Sequence, residues 1–205
     1  MLDQILCVDD DPITLMLIEK VVIKASFSNE IIISQNGEEA LHYFNSLKYA
    51  NTNNQLKKYP QLIWRGSTAQ CAWDNVSGNI IRQDNLQYFS RIKLCELSLQ
   101  YPESIDAKFT IYAQGGENIP YLQDLRGARV SFKKQMEYKY HILIDGNVCA
   151  WSNSGWKLFT NSLIFKPESP WIQWYYQNLK PYIHYVPVKN NLDDLLDQIA
   201  WAQNH

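Results

Sequence analysis

Short apolar runs alternate with amphipathic stretches from the first residues of the chain. The run "QILCVDD", Gln4 to Asp10, has the length of a buried strand whose carboxyl end carries acids. In "DPITLMLIEKVVIK", Asp11 is placed to cap a helix and Pro12 to begin it, and apolar residues follow at helical spacing. A second strand, Glu30 to Ser34, precedes an amphipathic helix that ends near Leu47. This β-α-β-α order is typical of the start of a doubly wound parallel sheet.

A polar, asparagine-rich segment, Lys48 to Tyr59, follows, and beyond it strands and helices alternate again. The predicted strands are Gln61 to Trp64, Ala107 to Tyr112, His141 to Ile144, Ser162 to Phe165 and Tyr182 to Val186. The predicted helices are Asp84 to Leu99, Ser131 to Tyr138, Gly155 to Thr160, Trp171 to Gln177 and Asn191 to Gln203. The sequence therefore predicts an α/β fold with a parallel, Rossmann-like sheet. It also predicts two regions, residues 1–58 and 59–205.

Composition narrows the class of protein. Hydrophobic residues make up 46% of the chain, and the net charge is -2 without a basic run, so we expect a packed core and no nucleic-acid partner. The four cysteines lack short pairings, which indicates free thiols in a reducing compartment. The amino terminus has no basic segment typical of a signal peptide, and no apolar run is long enough to span a membrane. We expect a cytoplasmic protein; peripheral membrane association and the oligomeric state stay open.

An acidic cluster stands at the end of the first predicted strand. Asp9 and Asp10 lie at the sheet edge where open α/β proteins bind ligands, and clustered carboxylates there suit Mg²⁺. The alternative is that Asp11 caps the next helix and the other two acids are solvated.

The motifs "ILCVDDDP" and "SQNGEEAL" resemble the first part of a bacterial response-regulator receiver domain, over residues 4 to about 63. The resemblance implies that Asp9 and Asp10 help to bind Mg²⁺. It also implies a phosphoacceptor aspartate near Gly66, where the sequence has no aspartate. A signalling or interaction module without phosphotransfer is therefore one alternative for the function, and an inactive fusion product is another.

Two glycine-containing turns follow predicted strands and suit a phosphate group. Arg65, Gly66 and Ser67 combine a guanidinium fork, a close backbone approach and a hydroxyl donor. The sequence "DGN" at 145–147 ends another strand before a predicted helix, whose amino-terminal N–H groups favour anions. A surface arginine in an ordinary turn, and a simple strand-to-helix connection, are the alternatives.

From about Pro60 to His205 the chain resembles the carboxyl-terminal part of glycosyltransferase family 90. The resemblance is carried by "WRGS", "YPESIDAKFT", "YKYHILIDGN", "FTNSLIFKPESPWIQWYY" and "LKPYIHYVPVKNNLDDL", in matching order and spacing. It implies a GT-B-like enzyme that uses a nucleotide sugar, usually a UDP-sugar, and needs no metal cofactor. Its acceptor would be a glycan, such as lipopolysaccharide or another surface polymer.

The resemblance also implies site residues. Arg65, Gly66 and Ser67 match a loop near the donor diphosphate, and Asp145, Gly146 and Asn147 match a second turn beside it. Asn153 stands where some relatives have a diphosphate-binding arginine, for which Lys157 or Arg82 could substitute, and Glu168 is placed to accept from ribose hydroxyls. The family's proposed catalytic carboxylate lies upstream of "WRGS", where this chain has the receiver-like segment. No catalytic residue is therefore assigned.

Two further features favour packing over chemistry. His184 lies among apolar and aromatic neighbours on a predicted strand, which is typical of a hydrogen-bonded core histidine rather than a general base. Trp171, Trp174 and Tyr175 recur at helical spacing, which predicts a core-facing stripe rather than a sugar platform.

Overall fold

The computed structural model describes residues 2–8, 28–34, 57–74, 76–150, 156–158 and 160–204. The chain divides into two compact units, Met1–Asn53 and Asn54–His205. In the first unit, β1 (Leu2–Val8) and β2 (Ser28–Ser34) pair in parallel, with Leu2 opposite Ser28 and Val8 opposite Ser34. The predicted helices of this unit lie outside the described residues, and its likeness to a receiver stays a prediction.

The second unit carries the remaining strands and helices. Its strands are β3 (Tyr59–Ser67), β4 (Ile105–Ile111), β5 (Tyr138–Ile142), β6 (Leu163–Pro167) and β7 (Val186–Val188). Its α-helices are α1 (Ser90–Gln100), α2 (Pro120–Gln123), α3 (Phe132–Gln135) and α4 (Leu195–Asn204), with a helical turn at 156–158. Short 3-10 helices lie at Leu86–Tyr88, Gly116–Asn118 and Tyr176–Asn178.

The strands of the second unit form one five-stranded sheet in the order β4-β3-β5-β6-β7, and every neighbouring pair is parallel. The chain runs first from β3 outward to β4 and then returns past β3 to β5, so the winding direction reverses between β3 and β5. This is a doubly wound sheet, and its reversal point lies at the β3–β5 junction. The predicted parallel, Rossmann-like α/β fold is confirmed.

The sheet is buried on both faces, as its apolar strands require. Three successive residues of β3, Leu62, Ile63 and Trp64, are almost fully buried although their side chains alternate between faces. The face with Leu62 and Trp64 packs against α1 and α4, and the large core there includes Ile92, Cys95, Phe109, Tyr140, Phe165, Val186, Leu195 and Ile199. Cys71, Cys95 and Cys149 are free thiols.

Two predicted elements are wrong in ways that matter for the site. The helix predicted from Asp84 begins only at Ser90, because the Asn85 side chain accepts from the Arg82 N–H and donates to the Ile80 carbonyl, which holds a loop there. The helix predicted from Trp171 is reduced to the 3-10 turn Tyr176–Asn178. Its first N–H donates instead to the Ser169 hydroxyl, at 3.1 Å.

The strand predicted around His184 is also displaced. Tyr182 has φ 59, a left-handed conformation that interrupts an extended chain, and a bridge between Pro181 and Tyr185 closes a turn. His184 is therefore exposed, and its Nδ1 accepts from the Lys180 N–H at 2.8 Å. The expectation of a core histidine is wrong, although the ring does have a hydrogen-bond partner.

The second sheet face buries a different histidine. His141 on β5 lies between Ile63 and Ile164 of the adjacent strands and is fully buried, with its ring edge-to-face against Trp156 at 5.4 Å. Among the described residues neither ring nitrogen has a hydrogen-bond partner. Burial, followed by the charges of Lys157 and Lys57, lowers the pKa of His141 to about 3. The ring is therefore neutral at physiological pH.

This burial predicts a pH-dependent stability. The pKa of His141 is lower in the folded chain than the ordinary 6.5, so its contribution is complete above about pH 6.5 and is lost as pH falls towards 3. One such proton adds at most about 1.4 kcal/mol per pH unit to the dependence. His141→Leu should flatten the fall in unfolding free energy between pH 6.5 and 4.5, measured by urea denaturation. An unchanged slope would assign the dependence to other groups.

Candidate functional site

A cavity of about 490 Å³ opens at the carboxyl edge of the sheet, beside the reversal point between β3 and β5. Ligands of open α/β sheets bind at this location because the connections there diverge to opposite faces. The cavity is lined by Gln70, Cys71, Ala72, Trp73, Gly78, Ser90, Ile144, Asp145, Gly146, Pro167, Glu168, Ser169, Pro170, Trp171 and Asn190. These residues come from the ends of β3, β5 and β6, the start of α1 and the turn after β7.

The segment after β3 forms the floor of this cavity. Thr68 fixes it to the end of β4, since its hydroxyl both donates to the Ala113 carbonyl and accepts from the Ala113 N–H, each at 2.8 Å. Gln70 is 2% exposed, and its Oε1 accepts from the Arg91 N–H at 3.0 Å. Its Nε2 has no hydrogen-bond partner among the described residues. A buried amide therefore keeps an unused donor on a residue that lines the cavity.

Helix α1 starts at the cavity wall. Its N-cap residue, Phe89, supplies no side-chain cap, and the Gln70 amide oxygen accepts from the Arg91 N–H of its first turn. The partial positive charge of the helix amino terminus is consequently directed at the space between Ser90 and Gln70. The Ser90 hydroxyl donates to the Asn190 carbonyl, which fixes the turn after β7 to the same wall.

Arg91 ties the two sheet halves together behind the cavity. Its Nη1 donates to the Ser67 and Ala69 carbonyls at 3.1 and 2.7 Å, and its Nη2 donates to the Ile144 carbonyl at 3.2 Å. Burial lowers its pKa to about 10, against the opposing charges of Asp145 and Cys95, so the guanidinium stays charged near neutral pH. Its Nε is buried and has no partner among the described residues.

The "DGN" turn packs directly on this guanidinium. A Cβ at Gly146 would lie 3.1 Å from Arg91 Nη2 and 3.1 Å from the Ala69 carbonyl oxygen, so a side chain there would crowd both. Asp145 Oδ1 accepts from the Ala150 N–H at 2.7 Å, whereas Oδ2 is buried and has no partner among the described residues. Asn147 is exposed and accepts from Gln114 Nε2 at 2.9 Å.

The structure brings together only some of the predicted site residues. Asp145, Gly146 and Glu168 line the cavity. Glu168 is exposed, and its backbone N–H donates to the Val188 carbonyl at 2.8 Å, which fixes it at the end of β6. The binding roles of these three residues stay predictions.

Other predicted residues lie away from the lining. Arg82 is exposed and pairs with Asp84 at 3.4 Å. Lys157 is buried, and its ammonium donates to the Ile142 carbonyl at 3.0 Å. Burial, then the charge of Arg91, lowers its pKa to about 7. Asn153, Asp9 and Asp10 lie outside the described residues, so their predicted roles, including the Mg²⁺ site, stay predictions.

Arg65 has a structural environment. All three of its guanidinium nitrogens are engaged: Nε with the Ala128 carbonyl, Nη1 with the Trp64 and Asp106 carbonyls, and Nη2 with the Asp106 carboxylate. Neither it nor Gly66 or Ser67 lines the cavity. This geometry favours an anchor between β3 and β4 and leaves no unengaged guanidinium nitrogen for the diphosphate contact that the sequence predicts.

Gly66 is explained by packing, since a Cβ there would lie 2.4 Å from the Trp64 ring. Sequence reasoning missed Gln70, Ser90 and Arg91. The pattern that could have found them is a polar residue three positions beyond a strand end together with a helix start; the helix predicted from Asp84 concealed it.

Within the described ranges, no cluster of three or more His, Cys, Asp or Glu side chains could hold a metal ion. The same ranges contain no helix with the length and hydrophobicity needed to cross a bilayer.

Comparison with known proteins identifies the family of the chain. Residues 48–205 match the model of glycosyl transferase family 90. Protein O-glucosyltransferase 3 of Homo sapiens is 34% identical over 115 residues, 56% of this chain and 22% of that protein. O-glucosyltransferase LpsA of Dichelobacter nodosus is 27% identical over 149 residues, 72% of this chain and 39% of that protein. Uncharacterized protein 035R of Invertebrate iridescent virus 3 is 32% identical over 157 residues, 71% of this chain and 13% of that protein.

Fold and cavity thus define an α/β protein with a ligand site at the carboxyl edge of a doubly wound sheet. Within that class, the chain belongs to glycosyltransferase family 90. It spans about a fifth of the human relative and well under half of the bacterial one.

The environment of Arg65 predicts a stability role. Arg65→Ala removes the bidentate pair with Asp106 and leaves that partly buried carboxylate with only the Tyr138 hydroxyl, at 2.8 Å. The unfolding free energy should fall by about 3 kcal/mol, measured by urea denaturation at pH 7. Arg82→Ala is the control, because its ion pair is exposed and should contribute under about 0.5 kcal/mol.

If Arg65 instead binds the diphosphate, as the sequence predicts, its replacement should affect ligand affinity and not stability. If Arg65→Ala were as stable as the parent chain but bound UDP at least about tenfold more weakly, the guanidinium would belong to the ligand site.

Proposed function

We propose that residues 54–205 form the nucleotide-sugar-binding part of a glycosyltransferase, with a UDP-sugar as donor and a glycan as acceptor. The carrying observation is a cavity at the carboxyl edge of the sheet, beside its reversal point, whose wall includes Ser90, the first residue of α1. Both features favour an anion, and the cavity is large enough for more than a single phosphate.

The diphosphate is assigned to the floor of the cavity. There it would lie beside Gln70 and Ser90, at the amino terminus of α1, with the charge of Arg91 behind Gly146. Arg91 attracts the diphosphate electrostatically rather than through a hydrogen bond, because its Nη groups already donate to three backbone carbonyls. In a region shielded from water such a fixed charge is worth more than it is in bulk solvent.

The rim of the cavity suits the sugar parts of the donor. The Glu168 carboxylate is exposed beside Ser169 at the end of β6 and is placed to accept hydrogen bonds from ribose hydroxyls. Asn190 lies on the same lining, in the turn after β7. A cavity with a helix amino terminus in its wall and a hydroxyl-accepting rim matches a nucleoside diphosphate sugar better than an inorganic anion.

Glycosyl transfer breaks the bond between the sugar's anomeric carbon and the diphosphate and forms one to an acceptor oxygen. Negative charge grows on the leaving diphosphate, and the acceptor hydroxyl loses a proton. Preorganised positive charge near the leaving group lowers the barrier, and α1 and Arg91 supply that charge here. We assign no general base, and a metal cofactor is not part of the proposal.

The relatives inform the reaction. Two of them are described as O-glucosyltransferases, so we propose a hexosyl donor and a hydroxyl acceptor for this chain as well. Lipopolysaccharide or another surface glycan is the proposed acceptor class. For the alternative of a receiver-like signalling module, no observation on the described residues adds support.

Gln70→Glu tests the donor site. It keeps an oxygen for the Arg91 N–H but replaces the unused amide donor with a negative charge, so UDP should be repelled; thermal unfolding checks that the variant, with its buried carboxylate, is folded. UDP and UDP-glucose should bind the parent chain in calorimetric titrations, and the variant should bind UDP at least about tenfold more weakly, ~1.4 kcal/mol.

Gln123→Glu is the matched control, since it makes the same charge change at an exposed position on α2 and should leave UDP binding unchanged. Absence of UDP binding to the parent chain at millimolar concentration, or equal affinity in Gln70→Glu, would contradict the proposed function.

A further inference from the structure

The connection between β6 and β7 exposes a group of large apolar side chains. Ile172 is 80% exposed, Trp174 is 78% exposed and Trp171 is 39% exposed. The sequence predicted a core-facing stripe at Trp171 and Trp174, and for Trp174 that prediction is wrong. Because a protein in water gains free energy by burying indole rings, contiguous exposed apolar residues of this size usually mark a binding surface.

This surface is held in one orientation. Gln173 is buried against Cys149, while the flanking Ile172 and Trp174 are exposed. Trp174 is braced edge-to-face by Tyr175, with ring centroids 5.5 Å apart and an interplanar angle of 87°.

A third aromatic ring extends this packing beyond Tyr175. Tyr175 packs in the same manner against Tyr176, at 5.1 Å and 83°. The Lys166 ammonium lies 4.5 Å from the Tyr176 ring centroid. A chain of rings thus supports Trp174 from behind and leaves it outward and accessible.

The surface is continuous with the cavity. Trp171 and its neighbour Glu168 both belong to the cavity lining, so the apolar surface starts at the rim where the sugar end of the donor is placed. A group bound on Trp171 and Trp174 would reach the cavity without crossing the rest of the fold.

The chemistry of the surface selects among ligands. No charged residue occurs between Trp171 and Leu179, so the surface itself is neutral, and the charged side chains of Glu168 and Lys180 lie only at its borders. The exposed amides of Gln177 and Asn178 follow the aromatic run and offer both donors and acceptors. A flat apolar ring face with neutral hydrogen-bonding groups beside it complements a pyranose, which has an apolar C–H face and a hydroxyl-bearing edge.

We propose that Trp171, Ile172 and Trp174 form an acceptor platform that binds a pyranose ring of a neutral glycan. This rests on the proposed transferase function and deepens it, because it makes the acceptor a saccharide recognised through its ring face. The exposed indole of Trp174 supplies the outer stacking surface, and Trp171 links it to the reacting end of the cavity.

The test uses the full chain with saturating UDP and a panel of neutral hexose oligosaccharides, maltotetraose and cellotetraose included. Saturation-transfer NMR should show contacts to sugar ring protons for at least one oligosaccharide. Trp174→Ala should weaken that binding at least about fivefold, and Trp174→Tyr should restore part of it, because a stacking face returns. The UDP affinity of both variants should equal that of the parent chain.

Tyr101→Ala is the control, because it removes an exposed aromatic at the opposite end of α1 from the cavity. Thermal unfolding of each variant checks that Trp174→Ala stays folded, which its exposure predicts.

The outcomes separate this inference from the proposed function. UDP binding without any Trp174-dependent oligosaccharide signal would overturn the platform and leave the donor site standing. Oligosaccharide binding without UDP binding would support the platform and overturn the donor site. Trp174-dependent binding to phosphatidylcholine vesicles or to an unglycosylated peptide, with no saccharide bound, would overturn the platform in favour of a membrane or protein partner.

Discussion

The site depends on the hydrogen bonds that the Arg91 guanidinium donates to three backbone carbonyls. At the carboxyl edge of a parallel sheet the last carbonyls point outward, and at the reversal point the connections after β3 and β5 part to opposite faces. Unmodified, such a crevice presents negative carbonyl dipoles that would repel a phosphate. The Arg91 guanidinium donates to the Ser67, Ala69 and Ile144 carbonyls, and so joins the two strand ends and offsets the negative ends of their dipoles with a positive charge. Gly146 is required at this point because the guanidinium occupies the space of its side chain.

Arg65 and Arg91 show how the same side chain takes two roles. Arg65 meets a carboxylate, Asp106, and its charge is neutralised within a pair. The Nη groups of Arg91 donate to carbonyl oxygens rather than to a carboxylate, so its charge is not neutralised within a hydrogen-bonded ion pair. An ion-paired arginine stabilises the fold and orients the residues it joins, whereas an arginine bound to carbonyl oxygens also contributes positive electrostatic potential to its surroundings. Pairing with a carboxylate, rather than proximity to a glycine, therefore distinguishes an arginine that anchors the fold from one that favours anion binding.

The sequence predicted what depends on local pattern. Buried apolar runs predicted the order of strands and the parallel sheet, a strand end predicted Asp145 and Gly146 at the site, and the family resemblance predicted Glu168. The sequence did not predict features that depend on contacts between residues far apart along the chain. Gln70 lies next to α1 only after folding, and a sequence cannot show that its amide oxygen is used while its nitrogen is not. Trp174 had helical spacing, but only Tyr176–Asn178 forms a helical turn, and Trp174 is exposed. Arg65 stood in a motif whose partner, Asp106, lies 41 positions away.

Amide NMR of the chain during titration with UDP tests the central claim, that the donor diphosphate binds at the β3–β5 reversal point. The largest shifts should fall on the backbone amides of Ser90 and Gly146 and on the backbone and side-chain amides of Gln70. Residues around the Arg65–Asp106 pair, such as Lys108 and Ala128, should shift little. Saturable shifts confined to that second group, with Gln70 and Gly146 unmoved, would contradict the account and place the ligand on the other side of β3.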